Sequence, residues 1–74
     1  MPPPLVMGLR EAFAKNLRKL RNERGLSQEA LAYEAGVDRT YISALERSVY
    51  AASLDMIEKL AEVLDVEPAR LLKK

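Results

Sequence analysis

A chain of 74 residues makes one small domain, and with no Cys and no His it excludes disulfide staples, thiolate chemistry and the usual zinc sites. Its formal net charge of +1 argues only weakly for a polyanionic partner. A core of this size stabilises modestly, so efficient helical packing or self-association must hold the fold together.

The start, Met1 to Gly8, contains Pro2-Pro3-Pro4, which disfavours helix and predicts a flexible Pro-rich arm over residues 1–8, ahead of a domain spanning 9–74. It has neither the basic start nor the apolar length of a secretory signal. No run in the chain approaches the roughly 20 apolar residues of a bilayer span, so a soluble, cytoplasmic protein is expected. Leu9, Phe13, Leu17 and Leu20 recur at helical spacing, and Gly25 supplies a left-handed stop after Arg21 and Arg24, predicting a first helix over about 9–24. Ser27 then caps a second helix, with Leu26 before it and Leu31 four positions in. Asp38 repeats the device with Val37 and Ile42, and Glu67 with Val66 and Leu71, Pro68 taking the first helical position. Ser53 is a further cap. The remaining helices are predicted at 28–35, 39–47, 54–64 and 68–72, with no competing strand pattern or repeat.

The expected core is Phe13, Leu17, Leu20, Leu31, Ala32, Val37, Ile42, Leu45, Leu54, Ile57, Leu60, Leu64 and Leu71. Ala32, Ala35 and Gly36 are small enough to let the second and third helices approach across a tight turn. Two short helices so joined are the pattern of a helix-turn-helix, whose second helix enters the DNA major groove. With Ile42 and Leu45 facing inward, the opposite face offers Arg39, Thr40 and Ser43, with Ala44 beside them and Arg47 a turn further on.

Arg39 can give two parallel hydrogen bonds to guanine, and Thr40 can bond a base or touch a thymine methyl. Tyr41 can reach a phosphate or pack into the core, and both readings stand. Ser27 and Gln28, at the start of the preceding helix, can present backbone N–H groups and an amide to a phosphate. Asp38 reads first as a cap and second as an acceptor from cytosine. Charge is polarised too: residues 1–24 hold six basic against two acidic groups, residues 25–74 six against nine. That asymmetry can orient a polyanion or simply solvate helix surfaces.

These residues resemble the Cro and lambda-repressor-like, XRE-type helix-turn-helix family, through Ser27-Gln28, Leu31-Ala32, Gly36, Ile42 and Leu45-Glu46. The resemblance covers residues 9–72 and implies an all-α, five-helix DNA-binding domain. It also implies an ion pair between Arg21 and Glu46 that locks the third helix to the first. Asp38-Arg39-Thr40-Tyr41-Ile42-Ser43, with Leu45-Glu46-Arg47, is further similar to the controller proteins of restriction–modification systems. Those are small homodimers that bind operators upstream of their own gene. Where the family commonly has Gly and basic residues after the third helix, this chain has Ser48-Val49-Tyr50-Ala51-Ala52-Ser53. The basic loop is missing, and Val49 and Tyr50 add an apolar patch near the expected two-fold axis.

The expected function is therefore a homodimeric, sequence-specific regulator of transcription on an inverted-repeat DNA operator. Its dimer interface is expected at Tyr50, Leu54, Val66 and Pro68, although Leu54 and Val66 also read as core. The alternative is an antitoxin or other protein-interaction module whose DNA binding serves autoregulation. An enzyme is rejected: there is no ordinary general base at neutral pH, no Gly-rich phosphate loop and no nucleophile motif. No metal or cofactor is expected, no membrane partner, and no small-molecule sensor domain is visible.

Overall fold

The computed structural model describes residues 8–74, so the expected arm over 1–8 lies outside the described residues except for Gly8. Five helices follow in order: α1 (Leu9–Glu23), α2 (Gln28–Ala35), α3 (Arg39–Glu46), α4 (Leu54–Leu64) and α5 (Pro68–Leu72). No strand occurs among the described residues. Arg24 and Arg47, expected inside their helices, are the C-caps of α1 and α3.

Short polar side chains begin the helices. Ser27 Oγ accepts the Ala30 N–H at 2.9 Å, Ser53 Oγ the Met56 N–H at 3.1 Å, and Asp38 Oδ1 the Thr40 N–H at 2.8 Å. Each such cap contributes about 1 kcal/mol. Glu67 departs from the expectation: its side chain makes no capping bond. A glutamate carries its carboxylate one methylene further than aspartate, and α5 starts instead on the preset φ of Pro68.

The ends of α1 to α4 share a device that the sequence revealed only in part. Leu26 N–H bonds Arg21 O, Val37 N–H bonds Ala32 O, Val49 N–H bonds Ala44 O and Val66 N–H bonds Ala61 O, at 2.9–3.0 Å. Each bond reaches over a residue in the left-handed region: Gly25 (φ 69°), Gly36 (φ 74°), Ser48 (φ 61°) and Asp65 (φ 57°). This is the Schellman closure, and the apolar residues Leu26, Val37 and Val66 after three of the left-handed positions pack back on the core, whereas Val49 after Ser48 stays exposed. Ser48 bears a Cβ where glycine costs nothing. Ser48→Gly should therefore raise stability by about 0.5–1 kcal/mol, the relief of left-handed strain less the extra unfolded-state entropy of glycine. Denaturant unfolding checks this, and an unchanged or lower midpoint would show that contacts of the Ser48 side chain offset the strain.

α1 lies between α3 and α5, while α2 packs on α3 and α4, and α4 closes on α5. Leu17, Leu31, Ile42, Leu45, Leu60, Leu64 and Leu71 are wholly enclosed where these helices meet, with Phe13, Leu20 and Ile57 beside them. Two expected core residues differ. Leu54 is 80% exposed. It is the first residue of α4, and because helical side chains lean toward the N-terminus it projects off the helix end instead of onto a neighbour. Val37 is half-buried against the core at the turn. Ala12, Ala14, Ala35, Ala44 and Ala61 join the buried set, marking where backbones come close.

Candidate nucleic-acid interface

Gly36 turns the chain sharply after α2, and the buried Ala32 and Ala35 let α3 lie close across it. Asp38 then caps α3, and of the first turn Arg39 and Thr40 are left free of the core while Ile42 enters it. At about 100° per residue, Arg39, Thr40, Ser43 and Arg47 fall within a single arc of roughly 100°. Of these Arg39, Thr40 and Arg47 are exposed and Ser43 is half-buried. Ala44 is not beside them at the surface: it is buried, 4% exposed.

The arc is partly prearranged. Thr40 Oγ1 donates to Asp38 Oδ1 at 2.6 Å, leaving the Thr40 methyl unengaged by that bond. Arg47 Nε donates to Ser43 Oγ at 3.3 Å. Arg39 enters no ion pair or side-chain hydrogen bond among the described residues, so its guanidinium keeps all five donors. Asp38 is held below the usual carboxylate range, chiefly by the hydroxyl of Thr40, then by the Thr40 N–H, with the Arg39 charge adding a little. Tyr41 lies outside the arc, half-buried, and packs against the core.

Behind the arc stands a buried carboxylate. Glu46, at the end of α3, has a fully enclosed side chain and takes Arg21 Nε on Oε2 at 2.6 Å and Arg21 Nη2 on Oε1 at 3.0 Å. The same Arg21 donates Nη1 to Leu26 O at 2.8 Å. Gln28 Nε2 donates to Glu46 Oε1 at 3.0 Å, and Arg18 stands 3.6 Å from that oxygen. One carboxylate thus joins α1, α2 and α3. Burial pushes its pKa up, but the hydrogen bonds from Arg21 and Gln28 and the charges of Arg21 and Arg18 outweigh this and hold it below the ordinary value. The bidentate geometry matters more than the charge alone, because it fixes the angle between helices.

The Arg21–Glu46 pair is where the resemblance implied it. The Gln28 amide faces Glu46 and commits one of its two N–H groups there. Ser27 is exposed but uses its hydroxyl as a cap. The sequence reading missed Arg18, although it lies three residues before Arg21 and hence on the neighbouring helical face. It also missed Tyr33, an aromatic on α2 that is 86% exposed. At about 100° per residue it lies on the side of α2 opposite Leu31, Ala32 and Ala35, so helical spacing could have found it. Beyond α3, Val49 and Tyr50 are 50% and 56% exposed, and Leu54 follows four residues after Tyr50. Pro68 is exposed, whereas Val66 is half-buried and packs on the core.

A five-helix domain that holds a short helix across a glycine turn, with Arg39 and Thr40 at the start of that helix open to solvent, is a helix-turn-helix domain. The family model described as Helix-turn-helix matches residues 17–71, and the chain belongs to this XRE-type family of DNA-binding transcription regulators, which are not enzymes. The chain is 47% identical over 69 residues to a "Neisseria hypothetical transcription factor" of Neisseria meningitidis, covering 93% of this chain and 65% of that protein's length. It is 43% identical over 69 residues to control protein C.BamHI of Bacillus amyloliquefaciens, covering 92% of this chain and 85% of that one.

Among solved structures, the restriction–modification controller protein C.AhdI of Aeromonas hydrophila superposes with a TM-score of 0.81 at 47% identity, over 84% of this chain and 94% of that one. The biofilm regulator SinR, solved in complex with DNA, superposes with a TM-score of 0.78 at 35% identity, over 82% and 98%. Among the described residues no helix is long and apolar enough to cross a membrane.

Proposed function

We propose that this chain is a homodimeric, sequence-specific regulator that reads an inverted-repeat operator through α3 of each protomer, in the manner of a restriction–modification controller protein. The observation that carries the reading is the unengaged Arg39 at the exposed start of α3, with the rest of α3 locked from behind by Glu46. A base-reading arginine needs free donors and a rigid base, and Arg39 has both. Similarity to C.BamHI and C.AhdI over most of each chain supports the controller assignment, and the SinR–DNA complex supports duplex DNA as the partner.

In this reading Arg39 contacts guanine O6 and N7, and the Thr40 methyl meets a thymine methyl or a base edge. Ser43 and Arg47 act as a pair, Arg47 turned toward phosphate. Tyr41 contributes its ring to the core and its hydroxyl to the backbone. Ser27 and Gln28 serve through the free N–H groups at the start of α2. The missing basic loop leaves Arg47 more of the phosphate work. Two protomers joined through Leu54 and Tyr50, with Val66 and Pro68 at the edge, would place their α3 helices in successive major grooves about 34 Å apart.

The test is selection of bound duplexes from a random pool with wild type and Arg39→Ala in parallel. An enriched inverted repeat is expected. The variant should lose about 1–3 kcal/mol and relax preference at one position per half-site. An equal loss on every sequence would reduce Arg39 to a phosphate contact, and no enrichment by either protein would remove operator reading altogether.

A further inference from the structure

A cleft of about 320 Å³ lies between α1 and the end of α5. Arg21, which faces α3, and Asn16, which faces α5, are five residues apart, about 140° round the helix at 100° per residue. Asn16 Nδ2 donates to Leu71 O at 3.0 Å and to Lys73 O at 2.7 Å, tying the end of α5 and the residues after it to α1. That tether sets Arg70, Lys73 and Lys74 opposite Lys15 and Lys19 across the cleft. Five cations line it and no acidic side chain does. Glu11 and Glu23 lie one turn away along α1 from Lys15 and Lys19 but do not border it.

None of these five cations enters an ion pair among the described residues, where the pairs formed all belong to Arg18, Arg21 and Arg24. Like charges gathered round a concavity repel one another and concentrate a positive potential inside it, which a compact anion relieves.

We propose that this cleft binds a compact oligophosphate, the triphosphate chain of a nucleotide or of inorganic tripolyphosphate, at a site separate from the DNA-reading face. Several phosphoryl groups in one short chain match cations on two facing walls, which a single small anion cannot span. The cleft volume lies at the small end of ligand sites, about 300–1,000 Å³. Lys15 and Lys19 also border a shallower hollow with Glu11, Arg18, Glu46 and Ser48 toward the end of α3, so it is the α5 wall of Arg70, Lys73 and Lys74 that sets this cleft apart from the DNA-reading face. Recognition is of phosphate, so the nucleoside adds little.

Inorganic tripolyphosphate is titrated calorimetrically into the full chain at low salt, with ATP alongside. Saturable binding of one tripolyphosphate per protomer is expected, weakening as salt rises. Replacing both Lys19 and Arg70 by alanine should weaken it about tenfold or more. Both side chains are exposed, so the melting profile of the double variant serves as the folding control. Arg39→Ala should leave tripolyphosphate binding unchanged.

ATP binding as tightly as tripolyphosphate would support recognition through the phosphate chain. Failure to saturate, or loss of binding in Arg39→Ala with the double variant unaffected, would overturn the site. If the double variant instead loses affinity for random-sequence duplex and keeps tripolyphosphate affinity, the cations are a DNA-backbone contact and the proposal falls.

Discussion

Glu46→Ala should lower the free energy of unfolding by about 3–5 kcal/mol, because it strands the buried Arg21 guanidinium without its carboxylate. Arg21 is only 11% exposed in its side chain and Glu46 is wholly enclosed. No other acidic side chain bonds Arg21 among the described residues, so none stands ready to take over the two short bonds. Domains of this length are stable by roughly 4–11 kcal/mol, so the loss consumes much of the total. Denaturant unfolding measures it directly. A loss below about 1 kcal/mol would mean that the end of α3 opens and hydrates Arg21 cheaply, as at an exposed pair.

The same carboxylate sets an acid limit. Its folded pKa lies below the ordinary 4.5, so its contribution is complete above that value and disappears as pH falls through the folded value. The melting temperature of wild type should therefore fall on acidification below about pH 4.5. Glu46→Gln keeps the shape without the charge and should flatten that slope, leaving only the smaller part due to exposed carboxylates such as Asp38.

If the proposed two-fold interface runs through Leu54, Leu54→Glu should cost about 10²–10⁴-fold in operator affinity while leaving the domain folded. In a two-fold interface the substituted side chain meets its own copy or the same patch, so one change brings two like charges together. The fold is spared because Leu54 is the first residue of α4 and already 80% exposed, and a carboxylate there suits the helix N-terminus. A monomer then binds one half-site without the effective concentration that a joined partner supplies. Light scattering and DNA titration on the same sample test both halves of the claim. A variant that stays dimeric at wild-type affinity would move the interface away from Leu54 and Tyr50.

The helices were legible in the sequence because each carries its own punctuation. Ser27, Asp38 and Ser53 cap where they were expected to, and Gly25 and Gly36 stop where they were expected to. Ser48 and Asp65 do the same work without being glycine, and residue type alone could not show that. Leu54 shows a different limit. Periodicity tells which face of a helix is apolar but not how far along the helix a neighbour covers it.

The candidate site was legible to a similar depth. Arg39, Thr40, Ser43 and Arg47 do share a face, as helical spacing requires. The bond from Gln28 to Glu46 was not legible because the two lie eighteen residues apart in sequence, and only the packed structure reveals that this amide also serves a buried ion pair. The alanine at 44 carried no sign of its burial, since alanine is equally at home at a surface.

The four left-handed helix endings also bear on the order in which the chain folds. Each closes with bonds spanning only a few residues, so the helix exits can take shape on the microsecond scale of local structure, before any distant contact forms. The Asn16 bonds to Leu71 and Lys73 are the opposite case, joining positions 55 and 57 residues apart. Loop closure makes them the last to form and α5, at five residues, the first helix to fray. Amide hydrogens of α5 should accordingly exchange fastest among the helices, and a molecule bridging α1 to α5 would slow them before it changed anything else.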